Sequence, residues 1–140
     1  KEIDPSYKPT TVMKEDVLVI VDNKVKPMLD NALKLARNGK INEALEILNE
    51  SLKIQETAFA YQMIGSIMYQ KKDTSVLYYL EKAYQLNPMD ENTINNIVIV
   101  CLMQKKFAKA KEYLEKYKKI ANKNNYEILL KSYNQALAKK

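Results

Sequence analysis

Histidine occurs nowhere in the 140 residues. Its absence removes the commonest general base, the usual zinc ligand and every histidine-dependent catalytic triad. Cysteine occurs once, as Cys101, which excludes an internal disulfide and any metal site built from several thiolates. Cys101 stands within Ile97-Val98-Ile99-Val100-Cys101-Leu102 and reads as a small core residue, because free cysteine is among the most buried residue types. Two glycines and four prolines are few. Strand-rich folds need turn residues about every ten positions, whereas helical hairpins need far fewer. Helix is favoured before any periodicity is considered.

Other absences narrow the function. No run of 18 apolar residues exists to span a bilayer. The run Val17–Val21 is too short for that and follows Lys14, Glu15 and Asp16, unlike the h-region of a signal peptide. Gly39 and Gly65 are isolated, so no phosphate-cradling loop forms. H-E-x-x-H, C-x-x-C, G-x-S-x-G and calcium-loop patterns are all missing. The carboxylate pairs Glu15-Asp16 and Asp90-Glu91 fall at turns or helix starts, where acids meet the helix dipole favourably. The expectation is a protein that is not an enzyme and needs no cofactor.

What is present suits one folded domain. The chain is 46% hydrophobic and 29% charged, which excludes wholesale disorder. Its net charge of +6 is uneven: residues 105–140 hold eleven lysines against Glu112, Glu115 and Glu127. Such an end could meet nucleic acid, an anionic membrane surface or an acidic protein. In a chain with thirteen asparagines it reads first as a solvated face of a lysine- and asparagine-rich composition. Tyr113, Tyr117, Tyr126 and Tyr133 interleave with those lysines at helix-packing spacing rather than as stacking platforms. Neither nucleic acid nor membrane is the expected partner.

A repeat dominates the middle of the chain. Met28-x-x-Asn31-Ala32-x-x-Leu35, Tyr61-x-x-Ile64-Gly65-x-x-Met68 and Ile94-x-x-Ile97-Val98-x-x-Cys101 form one set of segments. Each precedes a second: Ala44-x-x-x-Leu48, Val76-x-x-x-Leu80 and Ala110-x-x-x-Leu114. Ala32, Gly65 and Val98 recur at 33-residue intervals, and the second unit is one residue short near Lys72-Asp73-Thr74. A period near this length marks stacked helical hairpins. Over roughly residues 25–122 the pattern resembles the tetratricopeptide repeat family. The middle unit carries the likeness best, through Tyr61, Ile64, Gly65, Met68, Leu80, Ala83 and Pro88. In the outer units Val98 and Tyr117 replace small residues, and Glu56 and Asn122 replace proline.

The resemblance implies an all-α fold: an α-solenoid of about three helical hairpins plus a C-terminal capping helix. Gly65 and Ala32, with Ala44, Ala83 and Ala110 opposite, would let paired helices approach closely. Pro88 would break the chain between units and Asp90 would cap the next helix. Tyr126, Leu129, Leu130, Tyr133 and Leu137 form the i, i+3, i+4, i+7 stripe of the capping helix. Residues 1–24 read as an N-terminal extended or capping segment and residues 25–140 as the repeat domain. Residues 1–11, with Pro5 and Pro9, look extended and mobile. Residues 12–24 read either as a helix starting near Thr11 or, from the β-branched Val17–Val21, as a strand paired with another chain. Pro27 would then mark the first turn of the next helix.

By the same resemblance the first helix of each hairpin lines a concave groove that holds a protein or peptide partner. Phe59, Gln62, Ser66 and Tyr69 of the second unit, with Asn92, Asn95 and Ile99 of the third, are the expected groove residues. Aromatic area beside amide groups suits an extended peptide. The family's carboxylate clamp is not met, since Leu29 and Leu33 occupy its first-unit positions. Those two leucines would form an exposed apolar patch unless Val17–Val21 or a second copy covered them. The expected function is a scaffold or adaptor. The alternative is a structural subunit of a homo-oligomeric or cell-envelope assembly, a homodimer through the N-terminal segment being its simplest form. A start at Lys1 fits an exported or lipid-anchored mature chain and a trimmed cytoplasmic one equally.

Overall fold

The computed structural model describes residues 21–140, which are all-helical. Among them are seven helices: α1 (Val25–Arg37), α2 (Ile41–Ile54), α3 (Ala58–Gln70), α4 (Val76–Leu86), α5 (Glu91–Met103), α6 (Phe107–Ile120) and α7 (Lys123–Ala138). Packing is heaviest within the pairs α1–α2, α3–α4 and α5–α6. Between pairs, contacts run mainly to chain neighbours, α2 with α3, α4 with α5 and α6 with α7, and from α1 to α3 and α5 to α7.

The turns inside the three pairs are copies of one another. Lys40 N–H donates to Leu35 O at 2.8 Å, Asp73 N–H to Met68 O at 2.9 Å, and Lys106 N–H to Cys101 O at 2.8 Å. One residue earlier, Gly39, Lys72 and Lys105 have φ of 81°, 58° and 60°. This is the Schellman ending, in which a left-handed residue lets the chain bond back to the carbonyls the helix leaves unpaired. Only the first turn uses glycine; lysine adopts the conformation in the other two, at a cost of roughly 1–2 kcal/mol each. The sequence register stays at 33 residues through Asp73, so the missing residue of the second unit falls between Asp73 and Leu80. There Asp73 Oδ1 accepts from Ser75 N–H at 2.8 Å, closing a tighter entry to α4.

Entries into α3, α5 and α7 share a different device. Thr57 accepts from Ala60 N–H at 3.2 Å, Asp90 from Asn92 N–H at 3.1 Å, and Asn122 from Asn125 N–H at 2.8 Å. Each cap supplies an acceptor to a backbone donor the first turn cannot satisfy. Asp90 thus has its expected role, and Asn122 is likewise a cap.

Apolar spacing sets what each helix buries. Val25, Leu29, Ala32, Ala44, Leu48, Ala60, Ile64 and Ile67 form one cluster across α1–α3. Val76, Leu77, Leu80, Ile97, Val98, Ala110, Leu114 and Leu129 belong to a second, across α4–α7. Met68 touches both. Leu29, expected on an exposed patch unless another segment covered it, is 7% exposed within the first cluster, in line with Val25 and Ala32 on α1. Leu33 is half-buried. Within α7, Leu129 is buried and Tyr126, Leu130 and Tyr133 pack against the second cluster, while Leu137, the last residue of the expected stripe, is half-buried and not part of it.

Residues 21–24 are neither helix nor strand, so a helix over 12–24 does not reach α1. Val21 packs on the first cluster, and Asp22 N–H donates to Gln55 Oε1 at 2.8 Å. The extended leader and residues 12–20 lie outside the described residues.

Candidate functional site

The first helices of the three pairs, α1, α3 and α5, carry a row of adjoining hollows. One, of about 390 Å³, lies between α1 and α3, with Leu33, Arg37, Gln62, Met63, Ser66 and Gln70 in its wall. The next, of about 260 Å³, is bounded by Gly65, Ser66, Tyr69 and Gln70 of α3, Val76 and Leu80 of α4, and Asn96, Ile99 and Val100 of α5. A third, of about 380 Å³, opens between Tyr69, Lys72, Thr74, Val76, Val100, Met103 and Gln104. Ser66 and Gln70 belong to the first two, and Tyr69, Val76 and Val100 to the last two. Shared walls make the hollows one groove.

Local sequence explains this shape. Gly65 is the point where α3 meets α4, since a Cβ there would stand 2.9 Å from Leu80 Cδ2. The close approach puts Leu80 and Val76 beneath the α3–α5 crevice. Both are 4% exposed, and Val100 is 5% exposed beside them, so the floor is apolar and fixed by the core. The walls differ: Tyr69 is 49% exposed and Met103 61%, large apolar groups left in solvent at the groove's end.

The expected groove residues divide. Ser66, Tyr69 and Ile99 line the middle hollow together. Gln62 lines the first hollow, but its Nε2 already donates to Asp90 Oδ2 and to Thr93 Oγ1, the latter at 2.6 Å. Thr93 is 2% exposed and donates in turn to Asp90 Oδ2 at 3.1 Å. Gln62 is therefore a clasp between α3 and the start of α5. Phe59 packs half-buried against the first cluster, and Phe59, Asn92 and Asn95 line none of the three hollows.

Sequence reasoning missed Asn96, Gln70, Val76, Val100 and Met103. Asn96, Ile99 and Met103 stand at i, i+3 and i+7, a helical stripe that could have been chosen over Asn95. Val76 and Val100 carried no signal, because their place in the groove depends on how α4 and α5 meet.

The groove's middle is uncharged, with Ser66, Tyr69, Gln70, Asn96 and Ile99 as its walls. Formal charge enters only at the ends, through Arg37 and through Lys72 and Asp73. Ser75 N–H and the Ser75 hydroxyl hold the Asp73 carboxyl below its ordinary range.

Away from the hollows, α4 and α6 share a tyrosine cluster. Tyr113 O–H donates to Glu81 Oε2 at 2.8 Å, Lys109 Nζ lies 3.2 Å from Glu81 Oε1, and the Tyr84 ring meets Tyr113 edge-on at 5.2 Å. Burial, then the hydrogen bond to Glu81, pushes the Tyr113 phenol far above its ordinary range. Tyr113 and Tyr117 are buried, and Tyr126 and Tyr133 pack on the second cluster, so the tyrosines of the basic end are engaged in the core. Burial also pushes the Cys101 thiol up to about 11, away from nucleophilic use. Among the described residues no three carboxylate or thiol side chains are grouped to hold a metal ion, and no helix is long and apolar enough to cross a membrane.

No protein-family model matches the chain, and no curated protein matches it.

Proposed function

We propose that this chain is a tetratricopeptide-like α-solenoid that binds a segment of another protein along the groove of α1, α3 and α5. The observation that carries the reading is the continuity of the three hollows through Ser66, Gln70 and Tyr69, residues on one stripe of one helix. Three hairpins with identical Schellman turns present equivalent first helices side by side, which suits an elongated ligand rather than a compact one. An apolar floor with amide and hydroxyl walls matches a peptide, whose side chains alternate with backbone donors and acceptors. The role is that of a scaffold or adaptor, with no catalytic step and no cofactor.

The test is selection of a random-peptide library on the chain, with Ser66→Arg as the blocked control. Ser66 is exposed and central to the groove, so arginine there obstructs binding without entering the core. Selected peptides are expected to bind the parent chain and lose the Ser66→Arg variant. Peptides that bind both equally contradict the reading. Light scattering on the same preparations separates the alternative: a dimer that Ser66→Arg leaves intact would favour a self-assembling subunit.

A further inference from the structure

The middle and end hollows share their floor. Val76 and Val100 line both, with Leu80 beneath the first, and the exposed Tyr69 stands between the openings. Met103, 61% exposed, faces the second from α5. An unbranched thioether and a phenol ring beside a rigid apolar floor form a wall that adapts to an inserted group. The volumes, about 260 and 380 Å³, leave room for a large side chain.

Two polar side chains at this place are unengaged. Among the described residues, the Gln70 and Asn96 side-chain amides have no hydrogen-bond partner, in contrast with Gln62, held by Asp90 and Thr93. Each amide offers two donors and one acceptor oxygen, the set that a peptide backbone complements. Neither carries charge, and no charged side chain lines the middle hollow. A charged residue placed there would lose solvation with no counter-ion to restore it.

We infer that the crevice between α3 and α5 is the specificity seat of the groove: it takes one bulky apolar side chain, from an extended and locally uncharged segment of a partner protein. This rests on the groove reading above and adds the chemistry of its occupant. Val76, Leu80 and Val100 receive the side chain, Tyr69 and Met103 close over it, and Gln70 and Asn96 bond the flanking backbone.

The experiment uses a phage-displayed library of random twelve-residue peptides, selected on the full chain. Enriched peptides are expected to share one Leu, Met, Phe or Tyr flanked by uncharged residues. Tyr69→Ala and Met103→Ala, both at exposed positions that leave the core untouched, are expected to weaken binding about tenfold or more, as does alanine at the shared peptide position. Asn96→Asp, which adds a charge without changing shape, is expected to weaken it similarly. Circular dichroism confirms that each variant folds. If Ser66→Arg abolishes binding while Tyr69→Ala, Met103→Ala and Asn96→Asp do not, the seat is refuted and the groove stands. If Ser66→Arg has no effect, or no peptide is enriched, the groove reading fails and the seat with it.

Discussion

Gly65 and Leu80 lie so close that a Cβ on Gly65 would stand 2.9 Å from Leu80 Cδ2 and 3.3 Å from its Cγ. The contact is a close approach between α3 and α4, and Leu80 lines the groove beside it. Gly65→Ala is therefore expected to destabilise the chain by about 1 kcal/mol. Overpacking at about 1–3 kcal/mol exceeds the gain of up to about 1 kcal/mol from replacing a mid-helix glycine. In a Leu80→Ala background the same substitution should stabilise, because the obstruction is gone. Urea unfolding of the four chains of this cycle checks both signs.

The three hairpin turns offer a second comparison. Lys72 and Lys105 hold left-handed conformations that Gly39 adopts without strain. Lys72→Gly and Lys105→Gly should each stabilise by about 0.5–1 kcal/mol, the relief of strain offset in part by the looser unfolded chain. Gly39→Ala should destabilise by about 1 kcal/mol, although an added Cβ meets nothing within 4 Å. Thermal unfolding of the single variants measures these shifts.

Gln62 and Asn95 were equivalent in sequence as exposed amides of first helices, and the structure separates them. Gln62→Ala removes the donor that Asp90 Oδ2 and the buried Thr93 Oγ1 share, and should cost about 1–2 kcal/mol. Asn95→Ala removes no hydrogen bond among the described residues and should change stability by under about 0.5 kcal/mol. Similar losses for both would deny the clasp.

Tyr113 makes stability fall at alkaline pH. Its folded phenol titrates above the unfolded value of 10, because the anion would be buried and beside Glu81. The unfolded state then loses its proton first. The contribution is complete below pH 10 and is lost as pH rises above that value toward the folded pKa. Tyr113→Phe should show a shallower decline between pH 10 and 11 than the parent, and its native absorbance titration should lack the latest phenolate step. Tyr61 and Tyr117, also raised by burial, account for part of what remains.

Helix, hairpin order and most of the core were legible in the sequence because they follow from local spacing. Ala32, Gly65 and Val98 mark the buried face of each first helix, and Leu129 with its neighbours marks the last helix. Leu29, which the resemblance leaves exposed unless another segment covers it, is buried with Val25 and Ala32 in the first cluster, against which Val21 also packs. The site was half legible. Of the residues the resemblance put in the groove, Ser66, Tyr69 and Ile99 line the middle hollow, whereas Gln62 is held in a clasp with Asp90, 28 residues away in sequence. Val76 and Val100 became groove residues only through the meeting of α4 with α5. Side-chain partners and inter-helix floors are tertiary facts, and no single-helix pattern contains them.

The most direct measurement of groove binding is amide hydrogen exchange on the full chain, with and without a peptide selected as above. Protection on α1, α3 and α5, strongest at residues 66–70 and 96–103, reaching the groove floor at residues 76–80 and absent from α2 and α6, is the expected result. Protection on α2 and α6, or an equal footprint on the Ser66→Arg chain, would contradict it and move the binding surface to the opposite side.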